Sequence, residues 1–341
     1  MDVSPLNYKL TFEPDLKKFT FTGLESISIN CKKSVNSITM NCAELKIKSC
    51  IVKSGKKIIK SYPKTNEKKE ELQIKLAEKI RGLCTVDLEF EGILNDRLLG
   101  FYRSRYEQNG KTKYLATTQF EAADARRAFP CWDEPEAKAT FEISIIADNQ
   151  FTAISNMPVK TKKKTGKTTL YNFQKTPLVS TYLIYLGVGE FEYLSGKAGK
   201  IQIRVVTTKG NTSKGKFSLE LGKKLLTSYE KYFGIKFPLP KLDLIAVPDF
   251  AAGAMENWGA ITFRETILLY DPKTSSTRTK QFIAEVISHE IAHMWFGNLV
   301  TMKWWNDLWL NESFATFMAT KFVDKFYPEW DLWNQFVEDA M

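Results

Sequence analysis

Between Tyr8 and about Glu192, apolar and polar residues alternate in short segments separated by Gly, Asn and Lys turns, whereas beyond Lys216 the apolar residues recur at helical spacing. This change of period limits the fold more than any other feature of the chain. "YKLTFEP", "GLESISINCK", "NSITMNCAEL", "TVDLEFEGIL", "ATFEISIIAD" and "YLIYLGVGEFEYL" set Val, Ile, Thr, Phe and Tyr on one side of an extended backbone. That pattern belongs to half-buried antiparallel strands. Downstream, Phe217, Leu221, Leu225, Tyr229 and Tyr232 share one helical face until Gly234 stops it. "FPLPKLDLIAVPDF" and "GAITFRETILLY" read as further strands. A helix is predicted from about Thr279 to Gly297, with Phe282, Ile283, Val286 and Ile287 toward a core. The expected class is α+β multidomain, with a boundary near residue 193: an antiparallel β-rich domain over 1–192 and a mixed domain over 193–341.

With 341 residues, 43% of them hydrophobic, the chain has enough apolar surface for about two cores. A net charge of +10 raises the question of nucleic acid. The lysines, however, are dispersed or sit in short polar runs such as Lys160 to Lys167, "KTKKKTGK", whose Gly and Thr mark solvated turns. No nucleic-acid partner is expected. The start "MDVSPLNYKL" has no charged leader before an apolar run, and no apolar stretch nears about 18 residues, so neither export nor a membrane span is expected. Cys31, Cys42, Cys50, Cys84 and Cys131 are odd in number and lack close metal-ligand pairing. Reduced thiols in a cytoplasmic protein are the expectation.

The only two histidines, His289 and His293, lie four residues apart with Glu290 directly after the first. Four residues of helix advance about 6 Å and return to nearly the same face, so both imidazoles can converge on one ion. For an isolated histidine, a core residue bonded to backbone would be the better reading; His-Glu-x-x-His on a helix points to zinc instead. A catalytic zinc takes three protein ligands and keeps one position open. With no other histidine, a carboxylate is the expected third ligand. Cys131 is a competitor, but Glu312 is preferred, at the predicted start of a second helix with Asn311 as N-cap and Phe314, Phe317 and Met318 on its apolar face. Glu290 projects about 100° around the helix from His289, beside the metal, where a general base belongs. Zinc brings the pKa of water it binds toward about 7, so hydrolysis of a peptide or ester is the natural chemistry.

These residues resemble the zinc aminopeptidases of the aminopeptidase N family, within the gluzincin metallopeptidases. His289, Glu290 and His293 are followed by eighteen residues and then Glu312, the family's ligand spacing, and "GNLVTMKWWNDLWLNESFA" is similar to its surrounding signature. "GAMEN" (Gly253, Ala254, Met255, Glu256, Asn257) matches its exopeptidase motif; "GFYRS" and "TQFEAADARRAFPCWDEPEAKATFEI" resemble further segments. Metzincins would carry Gly and His where Phe296 and Leu299 stand. The related leukotriene epoxide hydrolases would carry Gly for Ala254 and Gln for Glu121.

The resemblance implies a saddle-like β-rich domain followed by the N-terminal, incomplete part of a thermolysin-like zinc metallopeptidase domain. It implies one zinc ion, Glu290 as catalytic base, and Glu256 and Glu121 holding the free N-terminal ammonium of a peptide, which makes the enzyme an aminopeptidase. A buried ammonium needs carboxylate partners, which agrees. Ser313 replaces the Gly common in the family and is expected to be tolerated. Family members also place an oxyanion-stabilising tyrosine well beyond the ligand glutamate; Tyr327 is too close to match and the chain ends at Met341. A truncated product is therefore expected, and the rival function is a non-enzymatic binding protein.

Overall fold

A computed structural model describes the backbone of residues 1–340 and the side chains of residues 1–338. The chain divides into two compact units, Met1–Gly189 and Glu190–Met341.

In the first unit, alternation builds a nine-stranded sheet. Its spatial order is Val159–Thr165, Thr168–Phe173, Thr140–Asp148, Val3–Asp15, Thr20–Asn41, Glu71–Ile93, Lys46–Ser54, Lys57–Ile59, with Ser61–Asn66 on the far half of Glu71–Ile93. A smaller sheet runs Thr152–Ser155, Leu186–Gly189, Lys111–Gln119, Gly100–Gln108. Inward-facing rings join the two: Phe101 of the small sheet lies 5.1 Å from Phe21 and 5.9 Å from Phe12 of the large one. Glycine is required where these rings press on backbone. A Cβ on Gly23 would come within 2.2 Å of the Phe90 ring, and one on Gly92 equally close to Phe21.

Two local expectations change. Val3–Asp15 is antiparallel to Thr20–Asn41 but parallel to Thr140–Asp148, Tyr8 lying opposite Phe141. The alternation of a single strand does not encode its partner's direction. The lysine run is also not merely a turn: Val159–Thr165 is an exposed edge strand paired with Thr168–Phe173, and the turn is confined to Gly166 and Lys167. Lysines on an edge keep the open backbone from pairing with another chain. Beyond Glu121, the segment with the 3₁₀ turn Ala125–Arg127 is fastened by Arg126 to Asp133 (3.0 Å) and by Arg127 to Glu70 (2.7 Å).

The second unit holds a five-stranded sheet ordered Phe191–Ala198, Ile201–Thr208, Lys241–Val247, Ala260–Arg264, Ala254–Met255, parallel in its middle and antiparallel at both ends. Helix α1 (Lys216–Phe233) connects the parallel strands Ile201–Thr208 and Lys241–Val247 and ends at Gly234, whose φ of 67° is left-handed. Asp243, fully buried, accepts from Arg204 Nε (2.6 Å) and from Lys241 Nζ (2.7 Å). Burial lowers the Lys241 ammonium to about 8 against the attraction of Asp243.

Helix α2 (Thr277–Ala292) is capped by Ser276, whose hydroxyl accepts from the Thr279 amide. Helices α3 (Leu308–Phe326) and α4 (Leu332–Ala340) follow. No described helix is long and apolar enough to cross a membrane. Several predicted faces shift. Phe282, Tyr232, Phe314 and Phe317 are exposed; on α2 the predicted Ile283 and Ile287 are buried, joined by Ala284 and Ile291, while Val286 is half-buried. The predicted strand after Gly259 ends at Arg264 in a 3₁₀ turn, Glu265–Ile267. Helix α3 begins before Asn311, which is buried inside it and donates to Met302 Sδ, so Asn311 is no N-cap.

Glu25 occupies an inward position of Thr20–Asn41, where both carboxyl oxygens are buried with no hydrogen-bond partner among the described residues. Burial pushes its pKa well above the usual range. An unfolded carboxyl titrates near about 4.3, so Glu25 reduces stability progressively as pH rises from that value through its raised folded one. Glu25→Leu should raise Tm at neutral pH, by about 1–3 kcal/mol of stability, and flatten the dependence above about pH 4.3. Thermal melts across pH check this; an unchanged pH slope refutes it.

Candidate metal centre

Helical spacing and the packing of α2 against α3 bring three ligand atoms together. His289 Nε2 lies 2.9 Å from His293 Nε2 and 3.2 Å from Glu312 Oε2, and His293 Nε2 lies 3.6 Å from the same oxygen. A tetrahedral ion with bonds of about 2.0–2.1 Å separates its ligand atoms by about 3.3 Å. The donor set therefore fits a metal ion. Its hydrogen bonding agrees: His293 Nδ1 donates to the Phe296 carbonyl at 2.9 Å, which leaves Nε2 as the nitrogen available to a ligand. Gly297, at φ 129°, permits this turn; a Cβ there would approach His293 Nδ1 to 3.3 Å.

His293 stands just past the last α2 residue but keeps helical dihedrals, and its amide still bonds to the His289 carbonyl. Burial lowers the pKa of His289, outweighing its hydrogen bond with Glu312. For His293 burial acts in the same direction but is overcome by Glu256, Glu312 and Glu290, which raise it to about 10. Burial would raise Glu312, yet hydrogen bonds from His289 and His293 hold it well below the carboxylate range. The surroundings thus select for positive charge at the point the three ligands share.

Glu290 is buried on α2, next to His289 in sequence. Gly253 precedes the edge strand Ala254–Met255, after which Glu256 and Asn257 are buried. The Glu256 Oε1 atom has no hydrogen-bond partner among the described residues, and burial, with His293 opposing and Glu312 adding, raises its pKa. Glu121 belongs to the first unit, half-buried after strand Lys111–Gln119. Cys131 also lies there, its backbone bridged to Asn41, its thiol raised chiefly by burial.

Two residues that pattern reading did not single out support these groups. Asn298 is buried and its Nδ2 donates to the Glu256 carbonyl at 2.8 Å. Thr316 Oγ1 lies 3.3 Å from His289 Nδ1. Its spacing of four from Glu312 on a helix could have flagged it.

With this geometry in view, comparison with known proteins is direct. Residues 4–183 match the Peptidase M1 N-terminal domain and residues 217–341 match the Peptidase family M1 domain. The chain belongs to peptidase family M1. It is 44% identical to the protein named Aminopeptidase M1 of Arabidopsis thaliana, over 98% of this chain and 39% of that one. It is likewise 44% identical to Aminopeptidase 2, mitochondrial, of Saccharomyces cerevisiae (100% and 36%) and to the Puromycin-sensitive aminopeptidase of Caenorhabditis elegans (99% and 36%). The chain thus spans about 39% of the length of the first of these relatives.

Outer hydrogen bonds to a ligating histidine typically change metal affinity about 10–100-fold when removed. With zinc as probe ion, Thr316→Val should weaken binding by about that factor, Thr316→Ser should restore it, and His293→Ala should abolish it. Competition with a chromophoric chelator measures all three. Full zinc retention in His293→Ala would refute the ligand set.

Proposed function

We propose that this chain is the N-terminal part of a zinc aminopeptidase that removes residues from the free N-terminus of peptides. The convergence of two imidazole nitrogens and one carboxylate oxygen, with Glu290 beside them, carries this reading. The names of the relatives support it.

His289, His293 and Glu312 would hold one zinc ion, which supplies Lewis-acid polarisation of a carbonyl and acidifies water. Glu290 accepts the proton of the attacking water at its carboxylate and returns it to the departing nitrogen. That carboxylate is buried, out of bulk solvent. Glu256, buried with an oxygen to offer, takes the substrate ammonium, and the α-amine is the fixed end from which cleavage is counted. Glu121 is the second carboxylate assigned to that cation by the family resemblance. Gly253, Ala254, Met255 and Asn257 shape the strand and turn that present Glu256.

In this assignment 1–192 is the β-rich domain and 193–341 the first part of the catalytic domain. All five cysteines are free, four of them buried, in keeping with a reducing, cytoplasmic setting.

Glu290→Gln should retain zinc and lose turnover of an aminoacyl anilide by about 10²–10⁴-fold. Peptides with acetylated N-termini should be poor substrates, and Glu256→Ala should impair the free-amine peptide. Near-normal turnover in zinc-replete Glu290→Gln would move the base elsewhere. Equal cleavage of free and acetylated peptides would make the enzyme an endopeptidase.

A further inference from the structure

Beside the metal centre, within the second unit, a cavity of about 280 Å³ opens against His289 and Glu290. One wall is the preceding turn of α2, Glu285 and Val286; the opposite wall is Thr316 and Thr320 of α3. Gly253 and Ala254, at the sheet edge, close a third side. Glu285 precedes His289, and Val286 precedes Glu290, by four residues, so the cavity follows one helical face for a turn, about 6 Å, away from the reacting groups.

Its direction relative to the substrate follows from Glu256. Asn298, whose backbone amide donates to the His293 carbonyl at 3.1 Å, holds the Glu256 backbone carbonyl with its side-chain amide at 2.8 Å. The ammonium thus sits on the His293 side. The cavity lies on the other side, by His289 and Glu290, where the chain beyond the cleaved bond must pass. Charged groups in the lining are the carboxylates of Glu285 and Glu290; among the described residues it includes no lysine or arginine.

We propose that this cavity receives the side chain of the second substrate residue and that Glu285 makes it select lysine or arginine there. This inference rests on the proposed aminopeptidase reading. A four-carbon lysine stem spans the one-turn reach along Val286 and sets its ammonium at Glu285. An acidic side chain would meet two carboxylates. The net charge of +10 opposes cationic ligands at long range, so a preference for lysine must originate locally.

Binding is measured by calorimetry on the zinc-loaded Glu290→Gln chain, which separates recognition from turnover. The probes are Ala-Lys, Ala-Ala and Ala-Glu amides. Ala-Lys amide should bind about tenfold more tightly than Ala-Glu amide, with Ala-Ala amide between them. Adding Glu285→Gln, with zinc content unchanged, should collapse the three affinities toward one value. Equal binding of all three, a preference for glutamate, or a lysine preference that survives Glu285→Gln overturns the assignment and leaves the amine site standing. Failure of every probe to bind overturns the amine site and this inference together.

Discussion

The Tyr229 hydroxyl, buried between α1 and α2, lies 3.0 Å from the Ser288 carbonyl and 2.8 Å from the Ser288 hydroxyl. The candidate metal centre depends on this contact because Ser288 immediately precedes His289. Tyr229 also meets Phe322 of α3 edge-on at 4.6 Å and Trp295 at 6.0 Å. One side chain therefore relates the helix bearing the histidines, the helix bearing Glu312 and the turn after His293. An error of about 1 Å is large against a metal–ligand bond of about 2.0 Å, so a metal held by these three side chains would require a rigid support of this kind.

What could be read from the sequence follows the range of each rule. The histidine spacing is a local property of one helix, and it leaves the two nitrogens 2.9 Å apart. The break at Gly234 is equally local. Faces were less legible: Phe282 and Phe314 were expected to be buried because they are apolar, but a stripe of Ile, Ala and Met does the packing and leaves both exposed. Phe314 instead stacks on Phe296 at 3.8 Å, outside the helix pair's core. Asn311 looked like a cap because Asn favours that position, yet its amide is used inside the helix. Asn298 acts through a tertiary partner that no spacing rule specifies, whereas Thr316 is legible only once Glu312, four residues before it, is taken as a ligand.

Charge shows a similar division. The lysines of Val159–Thr165 are solvated, as their composition indicated, but they occupy a strand. Conversely, Glu25 and Lys241 carry residue types that patterning assigns to the surface and are buried. Lys241 is satisfied by Asp243 on its own strand and by the Gly259 carbonyl in the turn leading into the adjoining strand Ala260–Arg264. A charge with partners fixes geometry, whereas one without them only costs stability.

The parallel pairing of Val3–Asp15 with Thr140–Asp148 bears on how the chain is made. Val3–Asp15 lies in the interior of the large sheet, and one of its two neighbours is encoded more than a hundred residues later. At about 5–20 residues per second, the early hairpin formed with Thr20–Asn41 spends on the order of ten seconds with an unpaired edge. During that interval Tyr8, Leu10 and Phe12 lack the neighbours that later enclose them. That open edge is a site for premature pairing, and a holding factor at the tunnel exit would shield this hairpin until Thr140–Asp148 arrives.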